Sequence, residues 1–187
     1  MLRWFRLVAQ AVSVGAVVGL LALLVWKVVH QNHRTAASQI AHGKTGAAPS
    51  FSLPRLNGSG RLTLASLRGK AIVLNFWNSY CQPCQKEARA LEAAWHRYRG
   101  DGLVVVGVDV YDFKSDGRRF ARKYGVTYPL VHDGGGATID SYGLTGYPET
   151  FFVDRRGRLV GEHLEGPIQD GGNRTAFTRA IERALAS

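Results

Sequence analysis

The only two cysteines of the chain lie three positions apart, shortly after a continuous apolar run. The run, Ala71–Trp77, reads AIVLNFW, and the cysteines are Cys81 and Cys84. A short apolar run of this kind is typical of a central strand that is buried on both faces. Pro83 lies between the cysteines, and proline is favoured in the first turn of a helix. The segment therefore predicts a strand followed by a helix, with a Cys-x-x-Cys pair at the helix start.

Two thiols can serve as a structural disulfide, as metal ligands or as a redox couple. A disulfide framework in a small secreted domain uses four or more cysteines. A structural zinc ion needs four ligands, and no His-x3-His pair accompanies these cysteines. A strand that leads into Cys-x-x-Cys at a helix start is typical of a thioredoxin-like redox site. We therefore expect a redox-active dithiol, with no cofactor and no bound metal.

The sequence on both sides of this site alternates between strand and helix patterns. Upstream, two extended segments flank the turn NGSG. Downstream, the patterns predict a helix, a strand, a second helix, a helical turn, a hairpin and a closing helix, at residues 85–100, 103–110, 116–125, 138–144, 149–166 and 174–186. Such alternation predicts an α/β domain whose early strands are parallel and joined by right-handed crossovers.

The N-terminal region carries a long apolar segment at residues 7–29. Leu7–Val25 alone is long enough to cross about 30 Å of hydrocarbon as a helix. Trp4 and Trp26 lie at its two ends, where indole rings favour the membrane interface. A cleaved signal peptide is the alternative, but its apolar region is about 7–15 residues and ends near an Ala-x-Ala site. We expect an uncleaved anchor.

Charge and composition then divide the chain. Arg3 and Arg6 favour a cytoplasmic stub at residues 1–6, although Lys27 near the far end of the segment, with Arg34 and Lys44 after it, weakens the asymmetry. Residues 30–48 are small and polar and predict a flexible tether, and residues 49–187 form the folded domain. The net charge of +10 indicates a solvated basic surface, because no Lys/Arg block interleaved with aromatics suggests nucleic-acid binding.

Residues 49–186 resemble the membrane-anchored thioredoxin-like proteins of the TlpA/ResA/CcmG (DsbE-like) group. Three stretches carry the resemblance: LRGKAIVLNFWNSYCQPCQKE, GVDV followed by FARKYGVTYPLVHD, and YGLTGYPETFFVDRRGRLV. It implies a thioredoxin-like fold, a central mixed sheet flanked by helices, with an N-terminal extension and one preceding transmembrane helix. Tyr80 departs from the group, which usually has tryptophan before the first cysteine.

The helix start and the resemblance together give each site residue a role. Free N–H groups and the helix dipole favour a thiolate at Cys81, so Cys81 is expected to attack and Cys84 to resolve the mixed disulfide. The resemblance implies a disulfide between them and a proton-exchanging acid at Glu87. It also implies a cis peptide bond between Tyr147 and Pro148, beside which a substrate strand binds.

Other residues receive a role relative to this group. Asn75 stands where ordinary thioredoxins carry a buried acid. A purely structural role, as a hydrogen-bonded strand residue, explains it as well as a direct role in the chemistry does. Glu149 and Thr150 are expected to set the polarity of the groove rim.

The expected function is that of an extracytoplasmic thiol:disulfide oxidoreductase tethered to the cell membrane. The resemblance implies that it reduces disulfides of exported proteins, such as the Cys-x-x-Cys-His site of apocytochrome c, with electrons from a membrane-embedded thiol carrier. One alternative is a peroxiredoxin-type peroxidase, although Asn78 stands where that class has Thr or Ser. The other is a copper-delivery module that uses Cys81, Cys84 and a histidine such as His132.

Overall fold

The computed structural model describes the backbone of residues 2–31, 35–41 and 45–187. The chain divides into two compact units, Met1–Thr35 and Ala36–Ser187. The first unit contains α1, a continuous helix of 30 residues at Leu2–Gln31. The described side chains of α1, Trp4 and residues 12–28, are exposed. Within the described ranges, no helix has both the length and the apolar character that a membrane crossing requires.

The second unit begins earlier than the sequence predicts. Ala36–Ala41 forms the short helix α2, and Ala36 is completely buried. Further on, the Ala48 N–H donates a hydrogen bond of 3.0 Å to the Gly157 carbonyl. The prediction of a flexible tether over residues 30–48 is therefore wrong at these positions, while residues 32–34 and 42–44 lie outside the described residues. This segment packs against the core largely through small alanine side chains. The sequence therefore shows no periodic pattern of large apolar residues that would predict the packing.

Two sheets follow along the chain. Ser52–Pro54 (β1) and Arg61–Thr63 (β2) form an antiparallel pair. The larger sheet has the order β5-β4-β3-β6-β7. Its strands are Ala71–Trp77 (β3), Leu103–Val110 (β4), Leu130–Asp133 (β5), Glu149–Val153 (β6) and Leu164–Glu165 (β7). Strands β3, β4 and β5 are parallel, as predicted, and β6 runs antiparallel to β3. The result is the expected central mixed sheet.

Helices cover this sheet on both faces and bury β3 completely. Three helices contribute to the core on one face, at Gln82–Tyr98 (α3), Lys114–Tyr124 (α4) and Asn173–Ala186 (α6). The core on the other face includes α2, β1, β2 and the short helix Ile139–Tyr142 (α5). Val73 and Trp77 of β3 face the first set, and Leu74 and Phe76 face the second. Burial on both faces explains why this strand reads as an unbroken apolar run.

The predicted hairpin at residues 149–166 forms only in part. Its second arm pairs with β6 through the two residues of β7 and through an isolated bridge between Val153 and Leu159. Gly161 lies between these pairings with a φ of +72°, which is the left-handed region. That conformation interrupts an extended strand and suits glycine, which lacks a Cβ.

Candidate active site

The two cysteines join strand β3 to helix α3. The strand ends at Trp77, and Cys81 is the N-cap residue of α3. Cys81 and Cys84 form a disulfide with their Cα atoms 5.3 Å apart. Cys84 is buried at 2% exposure, whereas Cys81 is only partly buried. The sulfur that an incoming molecule can reach is therefore that of Cys81.

The start of α3 provides an environment that favours a thiolate. The Cys84 N–H donates a hydrogen bond of 3.1 Å to the Cys81 sulfur. The first turn contains no acidic residue, and Pro83 lies in it. Because free N–H groups and the helix dipole stabilise negative charge at a helix N-terminus, this position lowers the pKa of a cysteine in its reduced form.

Glu87 lies one helical turn after Cys84 and is buried at 1% exposure. Its Oε1 accepts a hydrogen bond of 2.7 Å from Asn75 Nδ2, and its Oε2 accepts one of 3.1 Å from the Ile168 N–H. Burial raises the pKa of this carboxyl to about 7, and the two hydrogen bonds offset only part of that effect. A carboxyl that titrates near neutral pH, on the same helix face as Cys84, is suited to exchange protons with the dithiol.

Asn75 links Glu87 to the neighbouring strand. Its Nδ2 also donates a hydrogen bond of 3.0 Å to Thr150 Oγ1 on β6. Thr150 is completely buried, so the expectation that it sets the polarity of the groove rim is wrong. It faces α3 because it pairs with Asn75 in the sheet. The amide therefore orients Glu87 beneath the first turns of α3.

The loop before β6 carries the peptide bond between Tyr147 and Pro148, which is cis as predicted. Glu149 follows it and is buried at 2% exposure, so the expectation that Glu149 lies on the groove rim is also wrong. Its Oε1 accepts hydrogen bonds from Thr145 N, Thr145 Oγ1 and Gly146 N, at 2.7, 3.0 and 2.9 Å. Glu149 thus holds the loop that carries Tyr147 and Pro148.

A second loop contacts the segment before Cys81. Asp112, which follows β4, accepts a hydrogen bond of 2.7 Å from the Ser79 N–H. Asp112 is one aspartate among many in the sequence and has no motif spacing to the cysteines, so the sequence did not single it out. Its place just after a strand was the available signal, because sites in α/β sheets lie beyond the carboxyl ends of the strands.

A buried acid–histidine pair lies behind this second loop. Asp109 Oδ2 is 2.9 Å from His132 Nδ1, and Asp109 is completely buried. Burial first, and then the nearby Asp112 carboxylate, raises the pKa of Asp109 to about 8. Burial also lowers the pKa of His132. Both shifts favour a protonated Asp109 carboxyl and a neutral His132 imidazole, with one proton shared in the hydrogen bond between them.

The described residues hold no group of three or more His, Cys, Asp and Glu side chains arranged to bind a metal ion. His132, the histidine of the copper-delivery alternative, is engaged with Asp109.

Comparison with known proteins agrees with this geometry. The AhpC/TSA family matches residues 45–161. Thiol-disulfide oxidoreductase ResA of Bacillus subtilis is 34% identical over 127 residues, which cover 66% of this chain and 70% of the relative. A Chlorobium tepidum protein assigned as thiol:disulfide interchange protein DsbE superposes with a TM-score of 0.69 at 27% identity, over 75% of this chain and 96% of that one. The structure of MTB DsbF gives a TM-score of 0.63 at 27% identity, over 72% and 94% of the two chains.

The mixed sheet, the disulfide at the start of α3 and the neighbouring cis-proline loop define a thiol–disulfide oxidoreductase with a thioredoxin-like fold. The chain belongs to the AhpC/TSA family, and within it to the thiol-disulfide oxidoreductases of ResA and DsbE type. The resemblance seen in the sequence is thereby confirmed.

Proposed function

We propose that this chain is an extracytoplasmic, membrane-tethered reductase for disulfides of exported proteins. The observation that supports this most strongly is the Cys81–Cys84 disulfide at the N-terminus of α3, with Cys81 as its accessible sulfur. The reductase direction follows from the resemblance to the TlpA/ResA/CcmG group.

The proposed reaction is two successive thiol–disulfide exchanges. In the reduced protein, the Cys81 thiolate attacks one sulfur of the substrate disulfide and forms a mixed disulfide. The second substrate sulfur leaves as a thiolate and takes up a proton. Cys84 then loses its proton and attacks the Cys81 sulfur, which expels the first substrate sulfur and closes the Cys81–Cys84 disulfide. The substrate gains two electrons and two protons.

Two groups support the second exchange. Cys84 is buried, and Glu87 on the same helix face carries a pKa of about 7. Glu87 accepts the Cys84 proton, directly or through a water molecule, as the thiolate forms. A dithiol carrier in the membrane must then return two electrons to the pair, because the extracytoplasmic compartment is kept oxidising.

The proposed substrate is the oxidised Cys-x-x-Cys-His site of apocytochrome c. The test uses the reduced full-length protein and an oxidised peptide that contains this motif, with the free peptide thiols measured over time. We expect one peptide disulfide reduced for each protein disulfide formed. Hydrogen peroxide consumption faster than peptide reduction would favour the peroxidase alternative. Tight, stoichiometric Cu(I) binding without any reduction would favour copper delivery.

The proposed anchor is the segment Leu7–Val29. Its support is the apolar sequence and the continuous α1 helix that contains it. The large apolar side chains described between residues 12 and 28 are 51–67% exposed, and an exposed apolar surface of this size is typical of a membrane or protein contact. A cysteine-free reporter fused after Ser187 is expected to be active outside the cytoplasm, and the protein to resist carbonate extraction. Release of a form that lacks residues 7–29 would show cleavage instead.

A further inference from the structure

The exposed aromatic side chains of the second unit are concentrated beside the disulfide. Among its described residues, the large apolar side chains that are exposed are Tyr80, Tyr111 and Phe113, at 67%, 55% and 78%. Tyr80 precedes Cys81 directly, and the other two lie in the loop after β4. Single exposed apolar residues are normal on a protein surface, but three on adjoining loops form a patch. We refer to Tyr80, Tyr111 and Phe113 as the aromatic platform.

Hydrogen bonds fix the two loops of the aromatic platform to each other. The Tyr80 hydroxyl donates to the Tyr111 carbonyl at 3.3 Å, and the Asp112 carboxylate accepts from Ser79 N and Phe113 N, each at 2.7 Å. A Cβ on Gly136 would lie 2.5 Å from the Tyr111 ring, so this ring lies directly on a glycine. The platform is therefore held in place before any partner arrives.

Tyr147, beside the cis-proline, lies close enough to Tyr80 and Tyr111 to interact with them electrostatically. Burial raises the pKa of Tyr147 to about 12, and the neighbouring Tyr80 and Tyr111 hydroxyls add to the shift.

Two residues of the aromatic platform occupy positions where the local backbone favours other residue types. Tyr111 has a φ of +50°, and among the described residues it is the non-glycine residue with a positive φ. Gly or Asn suits that conformation better. Phe113 is the N-cap of α4 and makes no capping hydrogen bond with its side chain. Ser, Thr, Asn or Asp suits that position better. Two residue types that the local backbone disfavours therefore lie close together beside a reactive group, and such a combination indicates a functional constraint.

We propose that the aromatic platform binds the polypeptide segment next to the reactive cysteine of the substrate, and that it selects apolar or aromatic side chains there. The inference rests on the proposed exchange at Cys81. A mixed disulfide brings the two Cα atoms within about 4.4–6.8 Å of each other, so residues that flank the substrate cysteine come within reach of Tyr80 and of the loop bonded to it. Tyrosine and phenylalanine rings provide a large contact area and lose little conformational entropy on binding.

The test compares two oxidised peptides with the same Cys-x-x-Cys disulfide. One carries Phe on both sides of the motif, and the other carries Ser. The reduced full-length protein is assayed as wild type, Tyr111→Asn and Phe113→Ser, and the readout is the kcat/KM for the Phe peptide divided by that for the Ser peptide. Phe113→Leu retains an apolar side chain and serves as the conservative variant. Tyr98→Ser removes an aromatic ring at the opposite end of α3 and is the matched control.

We expect the wild type to prefer the Phe peptide, and each of the two variants to lower the ratio by about five- to tenfold, the loss of one buried apolar contact. Phe113→Leu should restore most of the ratio, and Tyr98→Ser should leave it unchanged. Unfolding experiments should show Phe113→Ser and Tyr111→Asn to be at least as stable as the wild type. A wild-type ratio near one, or a ratio that neither variant changes, would overturn the proposed binding role of the aromatic platform but not the proposed exchange at Cys81. Failure of the wild type to reduce either peptide would overturn the proposed exchange as well.

Discussion

Asn75 and Glu87 form a buried hydrogen bond of 2.7 Å between strand β3 and helix α3. The amide donates two hydrogen bonds, to Glu87 and to Thr150, and so fixes the position of the Glu87 carboxyl. Within the described residues, the recorded partners of Glu87 are this amide and the Ile168 N–H, neither of which carries a full positive charge. The burial of the carboxyl is therefore compensated only in part, and its pKa lies near 7.

The first prediction concerns the coupling between Glu87 and the thiols. A carboxylate near a forming thiolate opposes its charge, so Glu87→Gln should lower the apparent thiol pKa by about one unit. Stabilising the reduced thiolate makes the couple more oxidising, so the reduction midpoint should become less negative by about 30 mV. Titration of the thiolate absorbance and redox equilibration measure the two shifts. Superimposable curves for wild type and variant would show that Glu87 does not act on the dithiol.

The second prediction concerns stability and pH. The pKa of Glu87 is raised from 4.5 to about 7 on folding, so between these pH values the folded state binds more protons than the unfolded state. The free energy of unfolding should therefore fall as pH rises through this window, by about 2–3 kcal/mol from this group, at about 1.4 kcal/mol per pKa unit. The stabilising effect is fully present below pH 4.5 and is lost above pH 7.

Asp109 also has a raised pKa, so its ionisation also lowers the free energy of unfolding as pH rises. Glu87→Gln separates the contribution of Glu87 from that of Asp109. Near pH 5 the variant should be about 1 kcal/mol less stable than the wild type, since its amide nitrogen cannot accept the Ile168 hydrogen bond, and this deficit should shrink or reverse by pH 8. Its stability should therefore fall less steeply with pH. Urea denaturation of the oxidised proteins at pH 5 and pH 8 tests this, and parallel pH dependences would contradict the assigned pKa.

The third prediction concerns Glu149 as a positioning residue. Glu149→Ala removes the acceptor of three hydrogen bonds from the loop before the cis-proline. We expect a loss of about 2–4 kcal/mol in the free energy of unfolding, because three hydrogen bonds to the buried Glu149 carboxyl are lost. The KM for a peptide disulfide should rise more than kcat falls, since the family resemblance implies that a substrate strand binds beside this loop.

Glu165 provides the matched control. His163 Nε2 lies 3.1 Å from Glu165 Oε1 and 3.8 Å from Glu149 Oε2, but Glu165 is exposed. Glu165→Ala should change stability by less than about 0.5 kcal/mol. Glu149→Gln retains an acceptor oxygen and should recover much of the KM. If the two alanine variants behave alike, Glu149 does not hold the loop.

Local sequence was sufficient to predict the central part of the site. The apolar run Ala71–Trp77, the cysteine pair and the helix after Pro83 are contiguous, so each element limits the next. The i,i+3 spacing placed Glu87 on the face of Cys84, and the family resemblance supplied the cis bond before Pro148.

Contacts between distant residues could not be predicted in the same way. Ser79 and Asp112 are 33 positions apart, and Asp109 and His132 are 23 apart, so only the sheet order brings them together. Glu149 was expected at a rim because a carboxylate is normally solvated. Its burial depends on the N–H groups of a loop whose shape the sequence does not specify.

Trapping of the mixed disulfide tests the central claim, exchange at Cys81, most directly. Reduced full-length Cys84→Ser protein is mixed with an oxidised Cys-x-x-Cys-His peptide, and the products are identified by intact-mass and fragment-mass spectrometry. The account predicts a stable adduct with one peptide attached at Cys81, because the resolving thiol is absent. Cys81→Ser should form little adduct over the same time, since the Cys84 sulfur is buried at 2% exposure. Equal adduct formation by the two variants, or faster formation at Cys84, would contradict the account.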